Sequence, residues 1–252
     1  IVSPIFEDGT MISFPIPSGD TDTYDSLYYN GIQYSQILRD LRYKGGDHCH
    51  LDPDLDLGRR RERIDGWFPA FGQRNAAAAY LKNIGVAQGD IFLFFGNFHF
   101  VEYQNGTYRY LRDCSDFYRG KDLQVIWGYL QVGEIISVPE EQRKVWWHPH
   151  SSNGRADNST NVIFKAAERL SLDKSKPGAG ALRFDKKRVL TLKGATKATW
   201  ARNEVYDETH IYGKRSNCAK NPDRGLYYAG IWQELGLKES DACTEWARNI
   251  LL

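Results

Sequence analysis

The sequence predicts an α+β fold, one domain built on a strongly bent β-sheet with flanking helices. Three observations predict it. Two apolar runs, IFLFF (91–95) and VIWGYLQVGEIISV (125–138), read as buried strands, and the second carries Gly128 and Gly133 where a bulge or bend lets a sheet curl. Asn105-Gly106 is a two-residue hairpin turn between strands at 98–103 and 107–111. The stretch FGQRNAAAAYLKNI (71–84), with four consecutive alanines and Gly85 behind it as a C-terminal cap, reads as the strongest helix of the chain.

The remaining elements follow in chain order. SPIFEDGTMISFPIPSGD (3–20) reads as short extended pieces around an Asp8-Gly9 turn, because Pro15 and Pro17 exclude helix. Residues 34–41 read as a helix that stops at Gly45-Gly46. Further strands are expected at 162–166, 188–192 and 225–234, and residues 241–252 as a closing helix with Trp246 on its apolar side. No repeat, low-complexity tract or proline-rich linker divides the 252 residues, so a single domain over 1–252 is expected.

Bulk composition narrows the function classes. With 33 basic and 32 acidic residues, net charge +1, nothing in the overall balance demands nucleic acid, so any binding field must be local, at Arg59–Arg61 or Lys186-Lys187-Arg188. Four cysteines without a CxxC pair argue against a zinc ribbon or a dense disulfide framework, and a reducing cytoplasm is the expected location. No apolar run approaches the ~20 residues that cross a bilayer, so no membrane partner is expected.

The chemistry concentrates in GGDHCHLDPDLDLGRRR (45–61). His48, His50, Asp52 and Asp54 alternate at period two, so an extended backbone turns all four toward one face as a ligand or acid–base row. His148-Pro149-His150 repeats the HxH spacing a hundred residues on. The two pairs could supply imidazole and carboxylate ligands to a divalent metal, but neither has the short spacing that makes zinc motifs specific. The cofactor is therefore left unknown and no residue is assigned as a metal ligand. The same residues also read as turn caps, Asp52-Pro53-Asp54 being a good Asx-turn sequence.

Arg59, Arg60 and Arg61, with Arg63, read most simply as a solvated face, and alternatively as a phosphate grip beside the acidic row. Consecutive residues diverge in either regular geometry, so one or at most two of the three can approach that row. Trp67, Phe68 and Phe71 are core residues or a base-stacking platform, and Gln73 caps the alanine helix or reads a base edge.

The run V-x-x-G-D-I-F-L-F-F-G from Val86, followed by V-I-W-G-Y-L-Q-V-G-E-I-I from Val125, resembles the pattern of PUA-like barrels, the superfamily of the ASCH and EVE domains. Six segments carry a second resemblance: SPIFEDGTMISFPIP, HLDPDL, GWFPAFGQ, GVAQGDIFLFFGNF, VIWGYLQVGEI and HPH. Together they are similar to the nucleotide modification associated domain 3 family, bacterial and phage proteins inferred to take part in altering DNA bases. The likeness runs nearly the whole chain, with imperfect matches at Trp200-Ala201 and at Ile231–Leu235, where Gln233 and Glu234 fall. It implies a short Asp-bearing segment before the Ser-Pro motif, which is absent here, so an N-terminal piece is expected to be missing.

Two functions are weighed. The first is an enzyme of transferase or glycosyl-transfer type acting on a nucleotide or a DNA base, with His50, Asp52, Asp54 and Glu234 as catalytic groups. Arg59, Arg60, Arg61, Trp67, Gln73, Trp127, His148, His150 and Gln233 would then bind the substrate. The alternative is a non-catalytic PUA-like reader of modified bases or single strands, with Trp127, Tyr129 and Gln73 lining its pocket. Either is expected to work with companion proteins of a modification or defence system. No motif specifies a metal-dependent nuclease.

Overall fold

A computed structural model describes residues 1–60, 62–206, 209–212, 218–221, 225–228 and 234–252. In chain order its principal elements are β1 (Ser3–Ile5), β2 (Ile16–Thr23), α1 (Tyr34–Asp40), β3 (His48–His50), β4 (Ala70–Gln73), α2 (Asn75–Asn83), β5 (Ile91–Gln104), β6 (Thr107–Tyr110), β7 (Leu123–Ile136), α3 (Pro139–Lys144), α4 (Asn153–Ala156), β8 (Val162–Ala166), β9 (Ala179–Ala181) and α5 (Asp241–Leu251). The main sheet runs β1-β5-β7-β8-β4, with β6 on β5 and β9 on β7, and curls into a half barrel. This is the mixed α and β architecture with few helices that the sequence predicts.

The two apolar runs are neighbours, as expected: β5 and β7 pair antiparallel from Ile91↔Gln131 to Phe98↔Leu123. Both glycines sit at irregularities. Phe94 pairs with Gly128 but Phe95 with Ile126, leaving Trp127 as the extra residue beside Gly128. Lys165 pairs with Glu134 but Ala166 with Val132, leaving Gly133 unpaired, where a Cβ would come within 2.7 Å of the Ala167 backbone. One extra residue on one strand bends and twists the pair, and two along β7 curl it. The Asn105-Gly106 turn has both residues at positive φ, 52° and 80°, and joins β5 to β6.

The alanine stretch is divided between two elements. Phe71, Gly72 and Gln73 belong to β4, and helix α2 starts only at Asn75. The reason is tertiary. Phe71 pairs with Phe164 across β8 and its ring meets Phe92 at 5.1 Å and Phe94 at 5.0 Å, and burying such an aromatic stabilises the fold by about 1.5–3 kcal/mol, more than local helix preference can offer. The expected strand at 188–192 is replaced by a 3-10 turn at Lys186–Arg188 and single bridges at Val189 and Thr191. Of the expected 225–234 strand, Gly225–Tyr228 is a strand paired with Cys218–Asn221, 229–233 lie outside the described residues, and Glu234 is not in a strand. At α5 the Ser240 hydroxyl accepts the Cys243 N–H, and Trp246 packs against Tyr206. Among the described residues no helix is long and apolar enough to cross a membrane.

Candidate functional site

The second HxH pair meets one histidine of the first, His50. β3 lies antiparallel to β2, with Ile16 opposite His50 and Thr23 opposite His48. Beyond His50 the strand ends in a tight turn in which the Asp52 N–H donates to the His50 carbonyl at 2.9 Å, so the period-two alternation stops there. Asp52 is carried inward beneath β4, where its Oδ1 accepts the Gly72 N–H at 2.9 Å. From the other side comes the 3-10 turn Pro149–Ser151, capped by His148, whose Nδ1 accepts the His150 N–H at 3.2 Å.

Asp52 is the hub. His148 Nε2 lies 3.3 Å from its Oδ1, while His50 Nε2 and His150 Nε2 lie 3.6 and 3.5 Å from its Oδ2. The far nitrogens are anchored. His50 Nδ1 bonds Asp20 Oδ2 at 2.7 Å, and Asp20 is gripped in turn by Arg155 of α4 at 3.0 Å. His150 Nδ1 bonds Asn161 Oδ1 at 2.7 Å. Side chains of Asp52 and His150 are each 5% exposed and that of His148 0%, whereas His50, at 18%, reaches solvent.

Electrostatics follow from this arrangement. Burial acts to raise Asp52, but the imidazoles of His148 and His50 outweigh it and hold the carboxyl far below the usual carboxylate range. Burial also acts to raise Asp20, yet Arg155, Ser18 and His50 bring it down to about 2. Burial pulls His150 down to about 4 despite the Asp52 charge, while His50, drawn down by burial, is raised overall by Asp52 and Asp20. His50, Asp52 and His150 form a group able to hold a metal ion, their ligand atoms all within 4.8 Å of one another.

Gly72 sets the tolerance of this cluster. A Cβ there would lie 2.4 Å from the His150 ring carbons and 3.0 Å from His148 Cε1. Neither ring has room to retreat, because His150 is tied to Asn161 and His148 to the His150 backbone. Gly72→Ala is therefore expected to cost about 1–3 kcal/mol in urea unfolding, as overpacking does. It should also disturb the imidazole NMR signals. Unchanged stability and unchanged signals would show the rings to be mobile.

Beside the cluster runs a 660 Å³ groove lined by Asp22, Arg60, Arg63, Trp67, Trp146 and Trp147, the last adjoining His148. Trp146 is 66% exposed. Arg63 forks onto Asp54, its Nη2 donating to Oδ1 at 2.9 Å, with its guanidinium 4.3 Å over the Trp67 ring and Trp67 Nε1 donating to Asp54 Oδ2 at 3.1 Å. Arg60 pairs with Asp22 at 2.7 Å.

A family model described as nucleotide modification associated domain 3 matches residues 1–237 of the 252. The chain belongs to that family. No curated protein and no solved structure matches it.

In this nucleotide modification associated domain the expected site residues separate into groups. His50, Asp52, His148 and His150 come together, whereas exposed His48 turns away to the Asp20 carbonyl. Asp54 is not in the row: it faces Arg63 and Trp67, because the turn after His50 breaks the alternation. Arg60 and Trp67 line the groove. Arg59 does not. It is 7% exposed, with its guanidinium 5.6 Å from the Tyr34 ring and 5.9 Å from the Trp127 ring, an interior cation stacked on aromatics. Trp127 is likewise core, turned inward at the bulge of β7, and Tyr129 beside it is 5% exposed. Gln73, on the strand residue after Gly72, donates its amide to Glu234 Oε1 at 3.1 Å. Strand alternation turns it away from the cluster, and it takes Glu234 with it. Arg61 and Gln233 lie outside the described residues.

Sequence reasoning missed Asp20, Asn161, Arg155 and Gly72, which orient the cluster from four separate segments. No local pattern marks them. Arg63, already noted beside the arginine run, turns out to be the partner of Asp54.

Proposed function

We propose that this chain is an enzyme that modifies a nucleotide or a base in DNA, with the Asp52 cluster as its reacting centre and the neighbouring groove as its nucleotide site. The observation that carries the reading is the convergence of three imidazoles, two with anchored far nitrogens, on one buried carboxylate. Such convergence is expensive to assemble and serves packing poorly, since an apolar group of the same size would fill the space without burying charge. Asp52, held ionised, can accept a proton or steady positive charge at a sugar carbon during base exchange. Burial keeps the His150 imidazole neutral near pH 7, so its lone pair is available at the cluster.

The groove fits the same substrate. Trp146 offers an exposed ring for a base, and Arg60 and Arg63 offer guanidinium groups that a phosphate can compete for against Asp22 and Asp54. A base within duplex DNA would have to leave the stack to reach the cluster. Companion proteins of a modification system belong to this reading as suppliers of the donor group.

The test is mass spectrometry of nucleosides from DNA of cells carrying the intact gene neighbourhood, with the wild-type gene or with Asp52→Asn. A nucleoside mass present with the wild type and absent with Asp52→Asn is expected. In the same purified proteins Trp146→Ala should weaken oligonucleotide binding by about 1–3 kcal/mol, the worth of one stacked base. The exposed Trp146 also favours a second reading, a non-catalytic reader. Identical nucleosides with both genes, together with oligonucleotide binding that survives Asp52→Asn and falls in Trp146→Ala, would select the reader.

A further inference from the structure

The Asp52 cluster contains a hydrogen-bonding contradiction. Asn161 Nδ2 is committed to Gln142 Oε1 at 2.8 Å and to the His150 carbonyl at 2.9 Å, so its Oδ1 is the atom that faces His150 Nδ1. Oxygen accepts, so His150 Nδ1 donates and its Nε2 presents a lone pair. His50 Nδ1 faces the Asp20 carboxylate, another acceptor, so the neutral imidazole presents its Nε2 lone pair too. Both lone pairs point at Asp52 Oδ2, an anionic oxygen. Asp52 Oδ1 already accepts the Gly72 N–H, and His148 Nε2 lies 3.3 Å from it; because His148 Nδ1 accepts a backbone N–H, that Nε2 carries the proton.

With both imidazoles neutral, three electron-rich atoms face one another with no donor between them. We infer that His50 Nε2, His150 Nε2 and Asp52 Oδ2 are the ligands of one divalent transition-metal ion. The inference rests on the reading of this cluster as the reacting centre and names its cofactor. The spacing fits: an ion at the usual ~2.1 Å from its ligands in a tetrahedron holds them about 3.4 Å apart, close to the 3.5 and 3.6 Å that separate Asp52 Oδ2 from the two nitrogens. The support shell fits as well. Ligating imidazoles characteristically donate their other N–H to a carboxylate or amide oxygen, as His50 does to Asp20 and His150 to Asn161, while the Gly72 N–H holds the spare oxygen of Asp52.

Two imidazoles and one carboxylate select zinc or ferrous ion over magnesium or calcium, which take oxygen ligands. Three protein ligands leave a position for substrate or water, and His50, the one ligand that reaches solvent, marks the side from which it is filled. The ion would serve as a Lewis acid beside the groove. His148 stays outside the ligand set as the group that orients Asp52.

The experiment uses the full chain stripped with chelator and titrated with Zn²⁺, with Fe²⁺ under anaerobic conditions, and with Mg²⁺, with Co²⁺ as a spectroscopic probe. One equivalent of Zn²⁺ or Fe²⁺ per chain is expected, with no response to Mg²⁺ and a visible Co²⁺ spectrum of nitrogen and oxygen ligation. Asp20→Asn, which touches no ion, should weaken binding about 10–100-fold, and His50→Gln, which removes a ligand, by more than that. His48→Gln, an exposed imidazole outside the cluster, should bind like the wild type. Should His50→Gln fail to fold, Asp20→Asn decides. Absence of stoichiometric binding of both zinc and iron in the folded wild type, or equal binding in wild type, Asp20→Asn and His50→Gln, would overturn the inference. A nucleoside mass dependent on Asp52 in a protein that binds no ion would overturn the metal and leave the proposed function standing. Tight, cluster-dependent metal binding with no nucleoside change would do the reverse.

Discussion

Asp52→Ala is expected to lower the stability of the ion-free protein by about 1–3 kcal/mol, the cost of leaving the buried Gly72 N–H without its acceptor. The carboxylate is shared by the Gly72 N–H and three imidazoles from two distant segments, so its loss unties β4 from both the turn after β3 and the turn at Pro149–Ser151. Asp52→Asn is the informative companion. Its amide oxygen can still accept the Gly72 N–H, and its NH2 can donate toward the lone pairs of His50 and His150, so the ion-free protein should fold with no loss of stability. What disappears is the negative charge. Urea midpoints at fixed m-value measure the first effect, and nucleoside analysis and metal titration the second. An Asp52→Ala protein within about 1 kcal/mol of the wild type would show that the imidazoles are held without the carboxylate.

The second large effect is expected at Arg63, beside the groove. Asp54 is 3% exposed and takes both carboxylate oxygens to Arg63 and Trp67, while its backbone bridges to Ala70 at 3.0 Å in both directions. Arg63→Gln leaves that carboxylate buried without a cation, and a loss of about 3–5 kcal/mol follows. Arg63→Lys should recover only part of it, because a point charge cannot supply the planar fork. Removing both charges in Arg63→Gln/Asp54→Asn should restore stability relative to the single variant, giving a coupling of at least about 1 kcal/mol in a double-mutant cycle. Additive effects would mean that Asp54 is satisfied by the backbone and Trp67 alone. Arg60→Gln serves as the contrast. Its side chain is 26% exposed against 11% for Arg63, so water can partly take its place at Asp22 and the loss should be smaller.

The arginine run shows why composition is a weak guide to a site. Three consecutive cations announce positive charge, but they do not say which one is in water. The protein packs Arg59 against Tyr34 and Trp127, pairs Arg60 with Asp22 at the groove, and uses Arg63, beyond the run, against Asp54. Guanidinium groups pack on rings nearly as readily as they bind carboxylates, and the choice depends on which rings the fold brings near. The stretch at 71–84 teaches the same lesson for backbone: alanines favour helix, and α2 is there, but Phe71 and Gly72 were claimed by β8.

By itself the sequence determined the strand pair β5–β7, the glycines that mark its bulges, the Asn105-Gly106 hairpin, the helices α1 and α5, and the residue types from which a site is made. It also carries the family assignment. These are properties of periodicity, turn chemistry and composition, which neighbouring residues settle among themselves. Only the tertiary structure decided that His50 and Asp52 meet His148 and His150 while His48 and Asp54 do not, since a single turn after His50 ended the alternation that would have kept the row together. Only it decided which imidazole nitrogens carry lone pairs, because that is fixed by Asp20, Asn161 and the His150 backbone, each from a different part of the chain or a different face of the turn. A ligand set depends on the direction of lone pairs in space, and spacing along the chain does not encode direction once the backbone leaves a regular element.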